Sequence, residues 1–279
     1  MKNTKAFLIR GVGFWLLIIY RKKNMTKIIA IANQKGGVGK TTTTINLATA
    51  MVAVNKKVLI IDSDPQGNAS TGMGIPENQR NPSLYEMISE GTFNPRSIKN
   101  TIIPNLDIIT STNDLAASEI ELANIESRES RLKNIISKIG GYDYFFIDCP
   151  PALGLLTINS LVVADSVIVP LQCEFFALEG LSALTRTIKS IKENFNDSLD
   201  IEGVVLTMHD KRNSLSQLVE RDVRDFFGEK VYKTLIPRNV RISEAPSHGK
   251  PVLIYDTACV GSKAYIELAK EVIFNQGQN

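Results

Sequence analysis

The chain has 279 residues, 43% of them hydrophobic and 22% charged, which suits a globular fold with a sizeable core and excludes disordered, collagenous and disulfide-scaffold classes. Its formal charge of +3 originates in residues 1–24, which carry six basic and no acidic side chains; the remainder holds 26 basic against 29 acidic residues, net −3. A polyanion must therefore be met by a local patch and not by the field of the whole molecule.

In chain order, the first notable segment is GVGFWLLIIY at residues 11–20, flanked by Arg10 and by Arg21-Lys22-Lys23. It falls short of the ~20 residues a spanning helix needs. RKKN follows it, where a signal peptide would show a small-residue cleavage site. Met25 stands just before the first strand-like run. Residues 1–24 are expected to be an extension outside the fold, of the kind an over-called start codon adds. An interfacial membrane anchor is the alternative, although one short apolar segment holds a membrane only marginally.

From Lys27 onward, strand-like and helix-like runs alternate. KIIAIAN reads as a strand, a glycine-rich loop follows, and TTTTINLATAMVAVN repeats its apolar residues at helical spacing. KKVLIIDSDPQGN reads as a buried strand ending in acids, and residues 106–112, LDIITST, as a short strand. Residues 68–105, rich in Gly, Pro and Asn, read as irregular surface structure, and residues 118–139 as one charged amphipathic helix. YDYFFIDCPP, SVIVPLQ, IEGVVLTMHD and KVYKTLIPRN read as further strands; GLSALTRTIKSIKENF and GSKAYIELAKEVIFNQ read as helices. Continuous apolar strands between helices predict an α/β fold, a mostly parallel central sheet with helices on both faces. No linker divides residues 25–279, which are expected to form a single domain. Cys149, Cys173 and Cys259 form no C-x-x-C pair and are odd in number, so a disulfide framework is not expected and a reducing compartment fits.

In such sheets, ligands sit at the carboxyl ends of the strands. Three motifs fall there. NQKGGVGKTTTT, residues 33–44, ends as a phosphate-binding loop should, in Gly39-Lys40-Thr41, but Gln34 occupies the place of the first glycine and Lys35 stands beside it. Gly36, Gly37 and Gly39 allow backbone N–H groups to turn onto phosphate oxygens, with Val38 and Thr42 completing the nucleotide-contacting run. Lys40 is expected to reach the β- and γ-phosphates and the Thr41 hydroxyl to hold Mg²⁺. The second motif, DSDPQGN, places Asp62 and Asp64 two residues apart at a strand end. One can hold a Mg²⁺-bound water and the other can orient the attacking water. The third, YFFIDCPP, ends four apolar residues in Asp148, the form of a Walker B strand whose carboxylate binds Mg²⁺ through water. Asp143, upstream in a turn, reads as structural.

KGGVGKTT, IDSDPQGN, FFIDCPP and the later IPRNVRISEAPSHGKP together resemble the ParA/Soj family of chromosome- and plasmid-partition ATPases, from about Lys27 to the last helix. The resemblance implies a P-loop NTPase of the deviant Walker A type, hydrolysing ATP to ADP and phosphate with Mg²⁺. It implies that Lys35 is the signature lysine, which reaches the partner's phosphates when two subunits close face to face around two ATP molecules, as an arginine finger does in trans. It gives Asp64 the attacking water and puts Asp62 and Asp148 near Mg²⁺. Pro237 and Asn239 fall where the family contacts adenine, with Met208 beside them. Residues 207–250 hold nine Lys/Arg against six acids, and Arg212 and Arg241 match positions that touch DNA without sequence preference. The implied partners are non-specific DNA, a ParB-type centromere-binding protein and a second copy in an ATP-dependent homodimer. The implied place is the cytoplasm, on the nucleoid, with no membrane partner.

Three other functions compete. A MinD-like membrane-associated ATPase ends in a cationic amphipathic helix, whereas here Lys270 is the lone cation beyond Tyr265. An electron-transfer ATPase like the nitrogenase iron protein needs a second suitably placed cysteine. A plain P-loop kinase or GTPase fits neither Gln34-Lys35 nor the lack of an N-K-x-D motif.

Overall fold

Apolar runs rich in β-branched residues form strands β1 (Lys27–Ile31), β2 (Val58–Asp62), β3 (Ile98–Asn100), β4 (Leu106–Ile109), β5 (Tyr144–Asp148), β6 (Ser166–Gln172) and β7 (Asp200–Thr207). Between and after them come helices α1 (Lys40–Ala53), α2 (Asn68–Gly72), α3 (Leu84–Glu90), α4 (Ser118–Glu121), α5 (Arg131–Ile136), α6 (Leu155–Val163) and α7 (Ala177–Asn194). The chain closes with α8 (Ser214–Phe227), α9 (Val240–Glu244), α10 (Val252–Tyr255) and α11 (Val260–Gln276). This computed structural model describes residues 26–174 and 177–276. The extension at residues 1–24 lies outside the described residues.

The strands make one seven-stranded sheet in the order β3-β4-β2-β5-β1-β6-β7, parallel except for β3 at one edge. Successive side chains of a strand point to opposite faces, so each apolar run feeds two cores. Ile29, Ile31, Val58, Ile60 and Phe146 pack under α1 and α11 with Leu47, Met51, Tyr265 and Leu268. Ala30, Leu59, Ile61, Phe145 and Ile147 pack on the other face with Met87, Leu132, Leu161 and Leu184. Fully burying a side chain such as Ile60 contributes about 1.5–3 kcal/mol relative to leaving it exposed. The period also aims the acids. Asp62 stands two residues after Ile60, and Asp148 two after Phe146, so both carboxylates emerge on the α1 face. In register Asp62 stands opposite Asp148, and Asp148 opposite Ile31, the last residue of β1.

Three expectations are corrected. Residues 118–139 do not form one helix. α4 ends at Glu121, Ser127 takes a left-handed φ of 55°, and α5 starts where the Asn159 side chain of α6 accepts Leu132 N at 3.0 Å and donates to Arg128 O at 2.9 Å. KVYKTLIPRN is not a strand: it meets β7 at an isolated bridge between Val231 and Val204 and through Ile236 N, which donates to Leu206 O at 2.9 Å, and Pro237 bridges to His209 just beyond the strand. The N–H groups of Lys233 and Thr234 go to the Glu271 carboxylate of α11 at 2.6 and 3.0 Å, which lifts that stretch off β7. Residues 68–105 are more regular than expected. Ser83 and Glu86 form a capping box that starts α3.

Candidate functional site

β1 delivers the chain into the loop at residues 33–39, and α1 carries it away. Gly37 and Gly39 have φ of 75° and 89°, a region that side chains resist, and these turns direct the loop's N–H groups inward. The Val38 side chain is buried, so only its backbone faces the loop's interior. Its carbonyl is held by the Thr207 hydroxyl at the end of β7, 2.8 Å away. Asn33 anchors the start of the loop, donating to Pro170 O at 2.7 Å and accepting Lys35 N at 3.1 Å.

A cavity of about 550 Å³ opens over the loop. Gly36, Gly37, Gly39, Lys40, Thr41 and Thr42 of the loop and α1 line it, and so does Asp64 from the turn after β2. A second cavity of about 180 Å³ adjoins it, with Met208, Pro237 and Asn239 in its wall, and the two share Gly39, Thr42, Met208 and Pro246. Met208 sits in the left-handed region at φ 51°, a conformation that costs a non-glycine residue about 1–2 kcal/mol and that recurs at functional sites. Asn239 caps α9 by accepting Ile242 N at 3.3 Å. The residues named for phosphate and adenine thus border two cavities with shared walls.

Lys40 is buried and donates from Nζ to Lys35 O at 3.1 Å. Burial lowers its pKa, opposed by the charges of Asp148, Cys149 and Asp64. Asp64 lines the cavity and accepts Gln66 N at 3.0 Å. Asp62 and Asp148 lie fully buried beneath the loop. Burial pushes both carboxyls above the ordinary range, and the Asp62 charge adds to the effect on Asp148. Their satisfaction differs. Asp62 accepts Ser70 N and Ser70 Oγ at 2.8 and 2.7 Å on one oxygen, and Asp64 N at 3.3 Å on the other. Asp148 accepts Thr44 Oγ1 at 3.0 Å on Oδ1, and the Thr41 hydroxyl partly offsets the effect of burial on its pKa, but its Oδ2 is buried with no hydrogen-bond partner among the described residues.

An unpartnered buried carboxylate oxygen beside a threonine hydroxyl fits a hard divalent cation. Among the described residues no group of three His, Cys, Asp or Glu side chains could hold a metal. Magnesium held by one or two protein oxygens together with substrate phosphates does not need one. Cys149 and Cys173 are core residues, and burial pushes both thiols up to about 12.

Other named residues stand apart from the cavity. Lys35 does not line it; its Nζ lies 2.9 Å from Glu174 Oε2. Arg212 is 91% exposed but pairs with Asp210 through both Nε and Nη2, each at 3.1 Å. Arg241 pairs with Glu244 at 3.0 Å and Asp256 at 3.5 Å. The stretch 207–250 is therefore a mixed-charge surface in which both arginines already have acidic neighbours. Thr207, Glu174 and the cavity-lining Pro246 and Ser247 were not singled out from the sequence. Asp210, two residues before Arg212, was legible there.

Comparison with known proteins gives consistent matches. A family model described as an AAA domain matches residues 26–201. The chromosome partitioning protein ParA of Caulobacter vibrioides is 55% identical over 254 residues, which cover 90% of this chain and 95% of that protein. The sporulation initiation inhibitor protein Soj of Bacillus subtilis is 51% identical over 252 residues, 90% of this chain and 100% of that protein. Among solved structures, a cobyrinic acid a,c-diamide synthase from Mycobacterium smegmatis with bound ADP and magnesium superposes with a TM-score of 0.79 at 32% identity, covering 91% of this chain and 96% of that one.

Proposed function

Because this chain belongs to the ParA/Soj family of partition ATPases, we propose that it is an ATP-driven switch that closes as a homodimer, binds nucleoid DNA without sequence preference and releases it on hydrolysis stimulated by a ParB-type partner. The observation that carries the ATP reading is the buried Asp148 oxygen without a partner, set beneath a glycine loop whose Lys40 faces a 550 Å³ cavity. Thr41 and Asp148, with Asp62 behind them, would hold Mg²⁺, which neutralises charge on the β- and γ-phosphates when bound. The loop N–H groups and the positive end of α1 bind the phosphates. Lys40 exchanges its bond to the Lys35 carbonyl for phosphate oxygens. Asp64 orients the attacking water. Met208, Pro237 and Asn239 border the adenine, and Lys35 acts on the partner's nucleotide.

DNA is held by Arg212, which exchanges Asp210 for a phosphate, and by Arg241, which exchanges Glu244 and Asp256; such partly exposed ion pairs are worth only about 0–1 kcal/mol each, so the exchange is easy. Arg212→Ala and Arg241→Ala are each expected to lower affinity alike for any sequence and to reduce the log–log salt slope by about one for each phosphate no longer neutralised. Filter binding across a salt series reads this; a variant that binds as wild type marks its arginine as surface solvation alone. No helix among the described residues is long and apolar enough to cross a membrane. The deciding experiment is co-sedimentation with random-sequence DNA in ATP, ADP and no nucleotide, with liposomes as control. Recovery with DNA only in ATP supports the partition switch, and recovery with liposomes supports the membrane-associated alternative.

We further infer that residues 25–279 form one autonomous domain, because the family model begins at residue 26 and the last helix, through Tyr265 and Leu268, shares the core packed on the one sheet. Deleting residues 1–24 is expected to leave thermal unfolding and ATPase activity unchanged. A deletion that fails to fold or to hydrolyse ATP overturns this.

A further inference from the structure

The end of β6 holds the start of the glycine loop in two ways. Pro170 fixes Asn33, which fixes the Lys35 backbone. Beyond the strand, Glu174 takes the Lys35 ammonium at 2.9 Å. Glu174 is itself set in place, because its N–H donates to Gln172 O at 2.8 Å and its second carboxylate oxygen accepts the Gln172 side-chain amide. The Lys35 backbone is thus anchored while its four-carbon side chain can swing. In the single subunit that side chain lies against an anion outside the cavity, and the pair is about two-fifths exposed, at 36% and 44%.

We propose that Glu174 is a positioning residue that retains Lys35 within its own subunit, so that dimer closure requires the Lys35–Glu174 pair to open. This rests on the reading that Lys35 acts in trans. Closure then exchanges one anion for another, a carboxylate of the same chain for the phosphates of the partner's nucleotide. Opening the pair opposes association, and each dimer must open two pairs. An exposed pair of this kind shifts an equilibrium about threefold. Two such pairs multiply to about tenfold.

Glu174→Gln keeps the shape and the hydrogen bond to Gln172 and removes the charge. With a non-hydrolysable ATP analogue, the dimer association constant of the full chain is expected to rise about tenfold by sedimentation velocity. Analogue affinity at concentrations where the protein is monomeric should stay unchanged. The gap between variant and wild type should narrow at high salt, where exposed charges are screened. A purely structural Glu174 would give no gain in association and no salt-dependent gap. Lys35→Ala is run beside it. If Lys35→Ala fails to dimerise while Glu174→Gln dimerises as wild type or less, the trans reading stands and the role of Glu174 is overturned. If Lys35→Ala dimerises normally, the trans reading fails and the proposal fails with it.

Discussion

Asp64→Ala is expected to bind ATP and to form the ATP dimer while turning over roughly 10²-fold or more slowly, the scale for losing a positioned catalytic group. The geometry separates Asp64 from the groups proposed to bind nucleotide. The loop N–H groups, Lys40 and Thr41 line the cavity, and Asp64 lines it from the turn after β2. That turn is held by its own backbone, with Gly67 N donating to Asp64 O at 2.9 Å. It is held also by the buried Arg80, whose Nη2 donates to Thr71 Oγ1 at 2.7 Å. Loss of the Asp64 side chain removes one local bond, from Gln66 N, and leaves the rest of the turn fixed. Nucleotide affinity should therefore survive. Lys40→Ala should behave in the opposite way, weakening ATP binding itself, because the buried ammonium is removed from the phosphate side. Equilibrium titration and single-turnover hydrolysis distinguish the two. Normal hydrolysis by Asp64→Ala would reduce Asp64 to a turn-forming residue.

The parts legible in the sequence are those encoded locally. The glycine loop, the strand ends at Asp62 and Asp148, and the alternation that builds the sheet all depend on residues within a few positions of one another. The capping box at Ser83 and Glu86 was equally local and lay within the stretch read as irregular. What the sequence could not display depends on distant partners. The break in residues 118–139 is imposed by Asn159, and the loss of the strand after residue 230 by Glu271. Thr207 holds Val38 across 169 positions, and Glu174 holds Lys35 across 139. No periodicity or motif marks such pairs before the sheet order places β6 beside β1 and β7 beside β6. The two arginines illustrate both cases. Asp210 is a sequence neighbour of Arg212, whereas Asp256 reaches Arg241 only because α10 and α11 fold back over α9.

Lys35→Ala is expected to keep ATP affinity and lose the ATP dimer. In the single subunit Lys35 contributes no wall to the nucleotide cavity; its ammonium rests on Glu174. Gly36, Gly37, Gly39, Lys40 and Thr41 remain to bind phosphate, so a subunit without the Lys35 side chain should still hold ATP. The proposed closure is different, because it would bring two polyphosphates toward one interface. If each Lys35 makes one charge-assisted bond to the partner's phosphates, worth about 1.5–3 kcal/mol, the two together contribute about 3–6 kcal/mol. That corresponds to a dimer constant about 10²–10⁴-fold weaker without them. DNA binding should fall in parallel, since a monomer presents one set of arginines where the dimer presents two. The measurement is light scattering with ATP in an Asp64→Ala background, beside an ATP titration of the same protein. ATP-bound monomers support action in trans. Dimers of the double variant at normal abundance overturn it. Lys35→Ala matching Lys40→Ala in lost ATP affinity would place the lysine on its own subunit's nucleotide, and the ammonium would then have to leave Glu174 for the cavity beside it.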